Sequence, residues 1–166
     1  MKKFKQTAAN LEAAIQSSLI RLKYSGEVGV TCYYYGVFTR ENEDINLDCF
    51  ISEPGKELNL KITLPVPCCE KAKPCLRRYI DRINLICAGK GHFEFNDCDV
   101  ILVSKKISFS SFVISADSIL AAIFSLKANA FDFADVLRCI GKDSKVPDDN
   151  GIASAIYYAM YPEKKY

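Results

Sequence analysis

The amino-acid sequence predicts an α+β chain, an antiparallel sheet with packed helices in the order α-β-β-β-α-β-β(-β)-α-α. Three observations lead there. Apolar residues first recur at the three-to-four spacing of an amphipathic helix. The spacing then falls to two through three successive runs separated by polar turns. Helical spacing later returns, with a further pair of alternating runs in between. Short alternating runs joined by tight turns mark antiparallel strands with one buried face.

The first helix rests on Ala8, Leu11, Ile15, Leu19 and Leu22 within residues 7–23, and Gly26 ends its period. From Glu27 to Phe38, Val28, Val30, Cys32 and Tyr34 share one face of a strand, and Thr31, Tyr33 and Tyr35 share the other. Beyond the polar turn Glu41–Asp44, Ile45, Leu47, Cys49 and Ile51 alternate with Asn46, Asp48, Phe50 and Ser52. Glu53–Lys56 turns the chain again, because Pro54 fixes one dihedral and Gly55 tolerates the next. Leu58, Leu60, Ile62 and Leu64 complete the meander. Pro65 and Pro67 end it, since neither can donate to a ladder.

Pro74 suits the first turn of a second helix, where its missing N–H costs nothing. Leu76, Ile80, Ile83 and Cys87 line one face of that helix, and Gly89 offers a stop. Phe93 and Phe95 alternate with His92 and Glu94, and Asn96-Asp97 turns the chain into Val100–Lys105. Ser115 caps a long helix with Ile119, Ile123, Leu126, Ala130, Phe133, Leu137 and Ile140 along its apolar stripe, and Gly141 closes it. A polar loop then leads to a short helix over residues 150–161, appended to a single domain spanning 1–166.

The bulk properties narrow the setting. A chain of 166 residues buries enough surface to fold without metals or disulfides. Its formal charge of +2 is too small to call for a polyanion partner. The basic start at Lys2, Lys3 and Lys5 is followed by polar residues rather than an apolar run, so no signal peptide is expected. No run reaches the roughly 18 apolar residues of a membrane span. A cytoplasmic protein with reduced thiols is expected, because Cys32, Cys49, Cys87 and Cys139 all sit at core-type positions.

The helix carrying Tyr79, Ile80, Ile83 and Asn84 leads into the Gly91-His92-Phe93 strand, then Val100–Val103, then the long helix from Ser115. This run resembles the bacterial YbjN-like family of sensory-transduction regulators. It covers about Glu27 to Ile140 and consists mostly of packing positions. The resemblance implies a type III secretion chaperone-like fold and a non-enzymatic protein that often dimerises and binds other polypeptides. The many cysteines and the last helix depart from that family pattern.

The stretch CCEKAKPC places Cys68, Cys69 and Cys75 close together, with Cys98 or His92 as a fourth zinc ligand. Adjacent cysteines aim poorly at one tetrahedral centre, and the paired C-x2-C spacing is missing, so no metal or cofactor is expected. Cys75 is the best redox candidate, because a helix start and nearby Lys71 and Lys73 favour its thiolate, with Cys68 or Cys69 as partner. A thiol-based redox or metal-responsive protein is therefore the alternative reading. His92 is the sole histidine and no nucleophile elbow accompanies it, which argues against a hydrolase. No phosphate-binding glycine loop is present, and the acidic pairs fall mainly in turns. Arg77, Arg78 and Arg82 lie on a helix's polar face, but the balanced charge disfavours nucleic acid.

A protein partner fits best. Tyr33, Tyr35, Val37 and Phe50 lie on the strand face opposite the helices if those cover one side only, and such aromatic patches mark interfaces. Ile119, Ile123 and Leu126 are a second candidate surface, for another polypeptide or a homodimer, if the long helix is wider in its apolar stripe than its own sheet can cover.

Overall fold

α1 (Lys2–Ser17) presents Phe4, Ala8, Leu11, Ala14 and Ile15 as one buried stripe, as the helical spacing predicts. The computed structural model describes residues 2–29, 31–40, 42–52, 56–87, 89–96, 100–109 and 113–142. The turn residues 53–55 and 97–99 and the appended helix expected at 150–161 lie outside them. After α1 come β1 (Arg21–Val28), β2 (Thr31–Arg40), β3 (Glu43–Ser52) and β4 (Glu57–Pro65). Then follow α2 (Lys73–Ile86), β5 (His92–Asn96), β6 (Val100–Ser108) and α3 (Ala116–Lys142). The strands make one sheet in the order β1-β2-β3-β4-β6-β5, with β1 to β4 antiparallel. The fold is α+β with an open antiparallel sheet and three helices among the described residues.

The start of this order corrects the sequence reading. The first helix does not reach residue 23, and a separate strand, β1, occupies 21–28. Leu19 breaks the helix by taking φ 60°, a left-handed conformation that favours glycine. Because Leu19 and Leu22 also suit an apolar helical stripe, nothing in the composition announces the break. Gly26 lies inside β1, and Gly29, at φ 61°, sits at the turn that pairs Val28 with Thr31.

The chain forms two compact units, residues 1–63 with 104–127, and residues 64–103 with the chain from Ala128; β4, β6 and α3 contribute to both. In the first unit, Cys32, Tyr34 and Phe38 of β2 share their buried face with Ile45, Leu47, Cys49 and Ile51 of β3 and with Leu58, Leu60 and Ile62 of β4. Two contacts place the helices on this face. The Tyr34 hydroxyl donates to the Ala8 carbonyl of α1 at 3.4 Å. The Lys127 ammonium of α3 stands 4.6 Å from the centre of the Phe38 ring. Ser115 caps α3 as expected, its hydroxyl accepting from the Ser118 N–H at 3.2 Å.

In the second unit, α2 buries Cys75, Leu76, Tyr79, Ile80 and Ile83 along one stripe. Phe93 of β5 meets Phe133 of α3 edge-on, with ring centres 5.7 Å apart. Gly141 does not end α3 but lies in its last turn, where an added Cβ would stand 2.6 Å from the Pro67 carbonyl oxygen. No helix among the described residues is long and apolar enough to cross a membrane.

Candidate functional site

The face of the first unit's sheet that turns away from Ala8 and Lys127 is built by strand register. Across β2, β3 and β4, Tyr33 pairs with Phe50 and Phe50 with Asn59, and the next row joins Tyr35, Asp48 and Lys61. A third row joins Val37, Asn46 and Thr63. Each of these residues alternates with a core residue, so burying one face fixes what the other displays.

The aromatics are brought together as the alternation predicts. The Tyr33 and Phe50 rings lie 6.2 Å apart at a tilt of 32°. Tyr33 is 44% exposed, and Phe50 and Tyr35 are half-buried. The Tyr35 hydroxyl donates to Asn46 Oδ1 at 2.8 Å, which fixes the ring on the face and leaves its edge to solvent. Val37 departs from this pattern. It keeps the predicted face but is only 5% exposed, lying in register between Arg21 of β1 and Asn46 of β3. Val37 is therefore withdrawn from the patch.

Ile119, Ile123 and Leu126 are also corrected. All three are wholly buried, with none of their surface left for a partner. The long helix carries no apolar surplus at these positions, because its stripe is consumed by the chain's own core. On the open face, sequence reasoning passed over Asn46, Asp48, Asn59 and Lys61. Their alternation with buried leucines and isoleucines was a sufficient signal, and only the aromatic partners drew notice.

Asp48 is electrostatically unusual. Partial burial raises its carboxyl above the ordinary aspartate range, and the Lys61 ammonium across the strand pair lowers it by less. A raised acid pKa means that the folded chain holds this proton more tightly than the unfolded one. Asp48 therefore contributes stability below the ordinary aspartate value, and the contribution is lost as pH rises through the raised one. An NMR titration of the Asp48 carboxyl is expected to show a midpoint above that of a solvated aspartate, moving higher in Lys61→Met. A midpoint at or below the solvated value would contradict the burial argument.

The cysteines of the redox and zinc readings lie in different settings. Cys69 is exposed and Cys68 half-buried, with the Cys68 thiol donating to the Cys69 carbonyl at 3.4 Å. Cys75, the favoured redox thiol, is 1% exposed on the core stripe of α2. Its distance of about two turns from Ile83 puts both on one helix face, so burial overrides the helix-start argument. Burial also pushes up the thiols of Cys32, Cys49 and Cys87, away from the reactive thiolate. Among the described residues no three His, Cys, Asp or Glu side chains are grouped to hold a metal ion. Alkylation of the native protein is expected to label Cys69 to completion before Cys75 begins to react. Equal rates at the two sites would show that α2 opens readily.

Comparisons with protein-family models, curated proteins and solved structures found no match.

Proposed function

We propose that the chain is a non-catalytic polypeptide-binding or regulatory module of the type III secretion chaperone-like kind, working in the cytoplasm. The observation that carries this reading is the Tyr33–Phe50 ring pair, exposed at Tyr33 and half-buried at Phe50 on a sheet face whose opposite side already holds the core. Large aromatics left at a surface are the residues from which protein interfaces draw most of their affinity. The polar members of the face define the occupant. A segment of another polypeptide would lay an apolar side chain over Tyr33 and Phe50. Its rim would offer hydrogen-bonding groups to Asn59 and charges of both signs to Asp48 and Lys61.

The test is to capture the native protein from its own cells, identify a stoichiometric companion and rebuild the complex from purified components. Tyr33→Ala/Phe50→Ala is expected to weaken the rebuilt complex at least about thirtyfold, the loss of one interface anchor worth about 2 kcal/mol. Undiminished affinity in a folded double variant would remove this face from the interface. A second copy as the sole companion would make the face a homodimer contact.

A thiol-responsive function is the second reading, and it now rests on Cys68 and exposed Cys69 without Cys75.

A further inference from the structure

The second unit contains a slot that no element of the preceding reading uses. Among the described residues β5 is an edge strand, since the sheet order ends on it. α2 runs beside it, and a cavity of about 290 Å³ lies between the two. Arg77, Ile80, Asp81 and Asn84 form the helical wall, at the i, i+3, i+4, i+7 spacing of one helix stripe. Residues 92–95 of β5 form the other wall.

One end of the slot is closed by Asn84. Its side-chain amide donates to the Phe93 carbonyl at 2.8 Å, and its Oδ1 accepts the Phe93 N–H at 2.7 Å. This two-bond pairing copies what a neighbouring strand would do, and it blunts the sheet edge there. It also excludes an added peptide strand at Phe93, because one side-chain amide spans the whole gap between helix and strand. The occupant must be small. Two-residue strand periodicity turns the Phe95 N–H and C=O to the same side as those of Phe93, into the slot.

The charges are arranged by sign. Arg77 stands with its guanidinium carbon 6.0 Å from the centre of the Phe95 ring, at the end away from Asn84. Asp81 on the helix places a carboxylate on one wall, and the floor is apolar, from Ile80 and Phe93. A guanidinium beside a backbone N–H fits a carboxylate. A carboxylate fits an ammonium, and the floor fits an aliphatic or aromatic side chain. The volume lies at the lower limit of ligand sites, which run from about 300 to 1,000 Å³.

We infer that this slot binds a free zwitterionic α-amino acid with an apolar side chain. Its carboxylate is held by Arg77 and the Phe95 N–H, and its ammonium by Asp81. The site lies wholly within the second unit and is independent of the Tyr33–Phe50 face.

The test is an NMR titration of the full chain with L-leucine, following the Phe95 backbone amide and the Asn84 side-chain amide. Both are expected to shift and saturate, with a Kd of about 0.1–1 mM suited to so few ligand atoms. N-Acetyl-leucine, which lacks the ammonium, and leucinamide, which lacks the carboxylate, are each expected to bind at least about tenfold more weakly, as loss of a charge-assisted hydrogen bond implies. Arg77→Gln and Asp81→Asn, both at exposed positions, are expected to do the same with the remaining amide spectrum unchanged. The absence of shifts at these amides up to about 10 mM L-leucine, a Kd range already weak for a ligand of this size, would overturn the assignment. So would N-acetyl-leucine or leucinamide binding as tightly as L-leucine itself, since either result needs only one of the two charges.

Discussion

Leu126→Ala is expected to lower the unfolding free energy by about 2–5 kcal/mol, the range for deleting a buried leucine side chain in a core that closes only partly over the space. Leu126 is wholly buried on the α3 stripe that also carries Ile119, Ala122 and Ile123. The next residue, Lys127, lies over Phe38 and so holds this part of α3 against the helix-covered face of the first unit. No surface neighbour can substitute for the lost contacts. Urea unfolding measures the effect directly, because a core truncation shifts the midpoint with little change of slope. A loss below about 1 kcal/mol, outside that range for buried leucines, would place Leu126 at a surface and restore it as a partner-binding position.

Gly141→Ala is expected to destabilise the protein by about 1–3 kcal/mol, the usual cost of forcing extra volume into a packed site. On propensity alone the sign would be opposite, since alanine improves a helix interior by about 1 kcal/mol over glycine. The difference lies in what the new methyl meets. It would stand 2.6 Å from the Pro67 carbonyl oxygen and 3.3 Å from Val66 Cγ1. Neither neighbour yields easily. Val66 is buried, and the segment is tied to α3 where the Cys69 N–H donates to the Gly141 carbonyl at 3.1 Å. Thermal unfolding decides between the two signs: a lower Tm follows from the close approach, and a higher one would mean that the Val66–Cys69 segment moves aside freely.

These two positions also show what was legible beforehand. The α3 stripe from Ile119 to Ile140 and the strand alternation from Cys32 to Leu64 were readable because burial imposes periods of 3.6 and two on any sequence that forms these elements. The open face followed from the same alternation, and Tyr33, Tyr35 and Phe50 fell where it put them. Three features escaped for separate physical reasons. Leu19 ends α1 with a positive φ that its side chain gives no hint of. The function of Gly141 depends on Pro67, more than 70 positions earlier, rather than on helix termination. The burial of Cys75 is visible in its helical spacing from Tyr79 and Ile83, and it outweighs the chemistry of a helix start. The α2–β5 slot was beyond any pattern, because it depends on how Asn84 meets the main chain of Phe93.

In the proposed function, one face of the first unit's sheet holds the fold together while the other, with Tyr33 and Phe50, meets a partner. The most direct test is the urea unfolding free energy of Tyr33→Ala/Phe50→Ala beside that of the unaltered protein. A loss of no more than about 2 kcal/mol for the pair is expected, as for side chains that touch solvent on one side. A loss of about 4 kcal/mol or more, the range of buried aromatic truncations, would make these rings core residues and remove this face as a binding surface.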